Sequence, residues 1–330
     1  MSSANRHWLT TLRVWSHQAA SFLFSGKRQR VITAVFFTLT LLVITSILYT
    51  NRELLRSYEW HIQPYWLVLA IGLMLISMYM GAWAWHRLVA DVANVTDRRL
   101  NIKIWWYANL AKRLPGVVWY IASRAILYEQ AGVAKRTVTL LSGLEIALMF
   151  VSGLITTLLT LPFWVLPDEI SQNLGYAWFM LVLIPLSLLL IHPRVLEKIL
   201  AKLSSDKEAT PGSLILNWHH TLIWLVMYMV IWVAGGLILF STINFFQTLS
   251  PQQLVPVVGM WSLANSVSLA GAITVTNIGV REVSLALLLT QIMPLPVAII
   301  TIIAIRLILL AGGLITAVIA LKLQITTLAD

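Results

Sequence analysis

The chain has 330 residues, of which 59% are hydrophobic and only 11% charged, and its mean hydropathy is +0.82. A soluble domain carries about 25% charged residues, so these proportions exclude a water-soluble globular protein and mark an integral membrane one. The absence of cysteine excludes disulfides, thiolate metal sites and thiol nucleophiles.

Apolar runs near 20 residues predict a helical bundle, because a barrel would need alternating segments of about ten. The formal charge of +10 is concentrated in alternating loops. Arg6, Arg13, Lys27, Arg28 and Arg30 precede the first run, Arg87, Arg98, Arg99 and Lys103 follow the second, Lys135 and Arg136 precede the third, and Arg194, Lys198, Lys202 and Lys207 follow the fourth. That is positive-inside bias, not a nucleic-acid surface. It predicts a multi-pass protein of the plasma (cytoplasmic) membrane with both termini cytoplasmic.

In chain order, residues 1–30 form a basic segment in which Trp8, Leu12, Trp15, Ala19 and Phe22 recur at helical spacing, as in a helix lying on the membrane surface. Val31 to Thr50 reads as a span, and Tyr65 to Trp85 returns, with Tyr65, Trp66, Trp83 and Trp85 as interfacial anchors. The pattern then breaks. Trp105 to Arg113 and Val118 to Glu129 are two helical arms of about a dozen residues each, separated by Pro115-Gly116 and flanked on both sides by basic residues. Neither arm can cross alone; the pair predicts a re-entrant hairpin entering from the inside, with its broken backbone buried in protein or facing water.

Val138 to Leu161 crosses outward with Glu145 about two turns in, Leu174 to His192 returns, and Ser204 to Gly212 divides two halves, about 31–203 and 213–322. Trp218 to Phe240 crosses again. Leu254 to Met293, interrupted at Gly271 and Thr276-Asn277, reads as a second hairpin entering from the outside, and Pro296 to Leu321 is the last span, leaving residues 323–330 as a tail. The expected fold is all-α: about six full spans and two re-entrant helical hairpins within residues 31–322. Both halves run span, hairpin, span with a buried charge, the order of an inverted-repeat transporter.

Ionisable groups at membrane depth are expensive and functional by default. Lys112 and Arg113, beside Pro115 and Gly116, read either as anchors reaching the headgroups or as ligands for a lipid phosphate, for which a guanidinium fork is suited. Glu145 and Arg306 read either as a structural ion pair or as a carboxylate that holds a basic residue until substrate arrives. Asn277 and Gly279 would shape the second turn, with Arg281 and Glu282 capping the helix after it. Arg124 has no partner evident in its own arm. No spacing of histidines and carboxylates suits a metal, no phosphate-binding glycine loop is present, and no nucleophile stands beside Glu145 or Glu282. Neither a cofactor nor an enzymatic activity is expected.

Leu114-Pro115-Gly116, Arg124, Glu145, Gly279-Val280-Arg281-Glu282 and Arg306 together resemble the pattern of the flippase-like membrane domain of the lysylphosphatidylglycerol synthase/flippase proteins and their stand-alone relatives. The resemblance covers roughly Val31 to Lys322. It departs at Thr274 to Ile278, where the family usually has Pro-Gly-Gly, and it does not imply lysyl-lipid synthesis, which belongs to the aminoacyl-transfer domain of the bifunctional members. It implies translocation of an anionic or modified-headgroup lipid between leaflets, with a membrane phospholipid or polyprenyl-linked lipid as partner. The alternative expectation is a non-catalytic membrane partner of a glycosyltransferase or polyprenyl-phosphate pathway, and a homo-oligomer fits either.

Overall fold

The computed structural model describes Leu42 and residues 45–50, 51–111, 118–164, 218–271 and 279–322. Among these, every regular element is helical. The chain divides into two compact units, Met1–Tyr58 and Glu59–Asp330. The first contains helical residues 45–50 and a short helix α1 (Arg52–Ser57), with the Arg52 guanidinium over the Tyr49 ring.

The second unit holds α2 (Pro64–Ala93), α3 (Arg98–Ala111), α4 (Val118–Glu129), α5 (Lys135–Thr160), α6 (Trp218–Phe246), α7 (Leu254–Gly271), α8 (Val280–Leu289) and α9 (Leu295–Lys322). Their ends follow local chemistry. Pro64 opens α2 where its missing N–H is no loss, and Asn94 closes it in the left-handed region at φ 55°. Asp97 starts α3 by accepting from the backbone N–H of Arg99 and Leu100 at 2.8 and 3.1 Å. A Ser250–Gln253 capping box precedes α7. Gly279 precedes α8 at φ 88°, a conformation that favours glycine.

Five helical stretches are long and apolar enough to cross a membrane: Pro64–Ala93, Lys135–Phe163, Trp218–Phe246, Pro251–Gly271 and Leu295–Lys322. The helices α3, α4 and α8, with 14, 12 and 10 residues, reach only about 15–21 Å at 1.5 Å per residue and are too short for a core of about 30 Å. Four of the expected spans thus correspond to α2, α5, α6 and α9. The segments 1–41 and 165–217 lie outside the described residues, and with them the basic N-terminal segment, most of the first expected span, the Leu174 to His192 span and the divide between halves.

Several sequence expectations are corrected. The second span runs eight residues past Trp85, to Ala93, because Trp85 is fully buried and not an interfacial anchor. Lys103, counted with the loop cations, is buried within α3. The helix after the second turn stops at Leu289, with turn residues rather than helix leading to Pro294.

The longest helices pair antiparallel. α2 packs most extensively on α6, and both ends of that pair are tied. At one end the N–H groups of His61 and Gln63, just before α2, donate to the carbonyls of Phe246 and Phe245. At the other, the Trp224 indole near the start of α6 donates to Asp91 near the end of α2 at 3.1 Å. Close approach elsewhere depends on glycine. A Cβ at Gly81 of α2 would stand 2.6 Å from the Trp105 ring of α3, and one at Gly235 of α6 would collide with the Trp261 indole of α7. Gly153 of α5 is pressed against Ser266 and Trp232, and Gly312 of α9 against Met74, the small-residue packing that membrane helices use.

Candidate functional site: two ion-pair clusters

Two clusters of charge form, one in each set of short and long helices. The first centres on Glu145 of α5 and Arg124 of α4. Tyr120, Arg124 and Tyr128 recur every fourth residue and so share one face of α4. Arg124 Nη1 lies 2.5 Å from Glu145 Oε2, and Nη2 donates to Oε1 at 3.4 Å. Glu145 also accepts from the Tyr120 hydroxyl and, at 3.3 Å, from the Trp105 indole of α3. Arg124 is 0% and Glu145 1% exposed.

Aromatic rings complete this enclosure. The Arg124 guanidinium carbon sits 3.7 Å from the centroid of Trp85 and 4.1 Å from that of Tyr120, a desolvated cation–π arrangement. Its Nε has no acceptor among the described residues. Tyr228 of α6, fully buried, lies in the field of both charges. From Trp85 the polar contacts continue: its indole donates to Tyr128 at 2.9 Å, Tyr128 donates to Asn101 Oδ1 at 2.6 Å, and Asn101 Nδ2 lies 3.0 Å from His86 Nδ1. One connected network therefore ties α2, α3, α4 and α5 together. Apart from Arg124 Nε and the Tyr228 hydroxyl, the polar groups of this network find side-chain partners, which offsets the cost of burying them.

The second cluster centres on Glu282 in the first turn of α8. Its Oε1 accepts from Arg306 of α9, at 2.7 Å from Nη2 and 2.9 Å from Nε, and from its neighbour Arg281, at 2.9 Å from Nη2 and 3.1 Å from Nε. Two guanidinium groups share one carboxylate oxygen, so the cluster has a formal charge of +1. It is open where the first is closed: Arg306 is 52%, Arg281 26% and Glu282 20% exposed. Among the described residues, the Trp261 ring lies 5.9 Å from the Arg281 guanidinium carbon.

Of the residues singled out from sequence, Arg124 and Glu145 come together, as do Arg281, Glu282 and Arg306, with Gly279 forming the turn before them. Lys112, Arg113, Pro115, Gly116 and Asn277 lie outside the described residues. The expected Glu145–Arg306 pair does not form; each residue pairs within its own helix set, because α4 is packed on α5 and α8 on α9. Arg124 has its carboxylate on the next helix, which spacing within one arm could not show. Glu282 stands in the first turn of α8, where its charge suits the helix start, and its Oε1 also holds the two arginines. Sequence reading missed the aromatic enclosure of Trp85, Trp105 and Tyr120. The every-fourth-residue recurrence around Arg124 was the available signal.

No family model, no curated protein and no solved structure matches the chain. Among the described residues no group of three or more His, Asp or Glu side chains is placed to hold a metal.

Proposed function

We propose that the protein moves an anionic or modified-headgroup lipid between membrane leaflets, along a polar path between two helical hairpins of opposite orientation. The observation that carries this reading is the Arg281–Glu282–Arg306 cluster. Arg306 is the twelfth of 28 residues in α9, near the middle of a helix long and apolar enough to cross a membrane, yet half its side chain is exposed. An arginine at such depth is tolerated facing a wet cavity, and a net positive, partly open cluster there suits a phosphate-bearing headgroup.

The pattern of packing supports the two-half arrangement. Both halves run long, short, short, long: α2 to α5, then α6 to α9, with α7 the longer of the short helices. Exchanging the halves maps the packed pairs onto one another: α2·α3 onto α6·α7, α3·α4 onto α7·α8, α4·α5 onto α8·α9, α5·α7 onto α9·α3, α5·α6 onto α9·α2 and α2·α5 onto α6·α9, while α2·α6 maps onto itself. Gly81 is the eighteenth residue of α2 and Gly235 the eighteenth of α6, and each receives the tryptophan that is eighth in the next helix, Trp105 or Trp261. Since α2 and α6 are antiparallel, such repeats would be inverted. The helix α7, with 18 residues, reaches about 27 Å, so we read α7–α8 as the deeper hairpin.

Two experiments test this. Cysteine is absent from the chain, so single cysteines report sidedness: Gln130→Cys, exposed at the α4–α5 turn, is expected to label from the cytoplasm and Gln291→Cys, exposed at the α8–α9 turn, from outside. Labelling of Gln291→Cys from the cytoplasm alone would refute the second hairpin. In proteoliposomes, fluorescent anionic phospholipid is expected to exchange between leaflets, and Arg306→Gln to slow exchange about tenfold or more, the loss of one charged contact of roughly 1.4 kcal/mol or above. Wild-type protein that exchanges no lipid would overturn the transport reading in favour of a non-transporting pathway partner.

A further inference from the structure

Each helix set carries one ion pair between its second short helix and its last long helix, and the two pairs have opposite polarity. In the first, the short helix supplies the cation and the long helix the anion, Arg124 to Glu145. In the second, the short helix supplies the anion and the long helix the cation, Glu282 to Arg306. Their surroundings differ as much as their polarity. The first is roofed by Trp85 and Tyr120 and excluded from solvent; the second has Trp261 at 5.9 Å and is partly exposed.

Two similar units in one chain can hold different conformations and exchange them, since what one unit adopts is accessible to the other. The packing supplies a coupling. α5, which carries Glu145, leans on α7 of the other set, and α9, which carries Arg306, leans on α3. A shift of either long helix that opens its own ion pair therefore displaces the short helix on which the other hairpin is built. We infer that the two ion pairs open in alternation: the conformation described here, with Arg124–Glu145 sealed and Arg281–Glu282–Arg306 open, exchanges with one in which the first is open and the second closes toward Trp261. The antiparallel α2–α6 pair, tied at both ends, is the fixed frame, and the long helices α5 and α9 move against it together with the short helices packed on them. The inference rests on the two-half arrangement proposed above and not on what is carried.

Its test uses the cysteine-free chain in nanodiscs with a water-soluble thiol reagent. Ser123→Cys sits beside Arg124 and is 3% exposed in the parent, while Ser284→Cys sits two residues after Glu282 at a half-buried position. Removing a carboxylate strands arginine charge, and a stranded charge is not tolerated when sealed. Glu282→Gln leaves two unpaired arginines that resist closure of the second cluster, so it is expected to slow labelling of Ser123→Cys at least about threefold. Glu145→Gln strands Arg124, so it is expected to speed labelling of Ser123→Cys at least about tenfold and to slow labelling of Ser284→Cys, in protein whose gel-filtration profile matches the parent. An unchanged or faster Ser123→Cys rate in Glu282→Gln overturns the alternation, as does acceleration at both positions in Glu145→Gln. Neither readout requires lipid exchange, so an idle transport assay leaves this result standing, and the sidedness of Gln130→Cys and Gln291→Cys checks the two-half arrangement separately.

Discussion

Replacing Gly81 with alanine adds one methyl group at the tightest described contact between α2 and α3. The new Cβ would stand 2.6 Å from Cζ2 and 2.7 Å from Cη2 of Trp105, against about 3.5–4.0 Å for carbons in ordinary contact. The ring must retreat by about 1 Å to restore that spacing. It has little room, because Trp105 is buried and its indole donates to Glu145 at 3.3 Å. Overpacking of this kind costs about 1–3 kcal/mol, and loss of a hydrogen bond to a charged group about 1.5–3 more. The gain of alanine over glycine within a helix returns only about 0.5–1 kcal/mol. Gly81→Ala is therefore expected to destabilise the protein by about 1.5–5.5 kcal/mol, the sum of these terms. Gly72, nine residues earlier in the same helix, has nothing within 4 Å of its would-be Cβ, so Gly72→Ala is expected to be neutral or stabilising by up to about 1 kcal/mol. Reversible unfolding in mixed detergent micelles measures both. A Gly81→Ala protein as stable as the parent would refute the packing of α2 on α3 described here.

Three further outcomes are expected. Tyr128→Phe removes a hydroxyl that accepts from Trp85 and donates to Asn101, and should lower unfolding stability by about 1–3 kcal/mol; an unchanged midpoint would break the proposed continuity of the network. Arg124→Met alone strands the buried Glu145 carboxylate and is expected to cost about 3–5 kcal/mol, whereas Arg124→Met combined with Glu145→Leu should recover at least half of that; a double variant less stable than the single one would contradict the pairing. Arg306→Gln leaves Glu282 with Arg281 in a partly open setting, so its unfolding midpoint should move by the equivalent of about 1 kcal/mol or less, even while lipid exchange falls.

Elements that depend on local sequence were legible. Val118 to Glu129 emerged with the bounds its pattern predicted, because Pro115-Gly116 before it and Gln130-Ala131-Gly132 after it punctuate it on both sides. Arg124, Glu145, Arg281, Glu282 and Arg306 were legible as a set, since charge within apolar sequence is conspicuous. Their partners were not. Pairing is decided by which helices pack, and α4 meets α5 through contacts between residues such as Tyr120 and Glu145, 25 positions apart. Nor could hydropathy show that Trp85 is a roof over Arg124 while Trp83 is only half-buried: both are tryptophans near a helix end, and only the azimuth on α2 distinguishes them. Trp105 and Trp261 escaped notice for the same reason, because their role depends on Gly81 and Gly235 making room.

The ties at the two ends of the α2–α6 pair also set an order of assembly. The contact between Asp91 and Trp224 spans 133 residues of chain, and the one between Gln63 and Thr248 spans 185. At a synthesis rate of about 5–20 residues per second, α2 waits roughly 7–35 s after emerging before the helix it packs on has been made. During that interval the groups of α2 that meet α6, among them Trp66 and Asp91, are made without their partners Phe240 and Trp224, whereas Gly81 and Arg124 already have theirs in α3 to α5. Biogenesis of this protein therefore passes through a half-built state that has to be sheltered from lipid and from other nascent chains until α6 arrives.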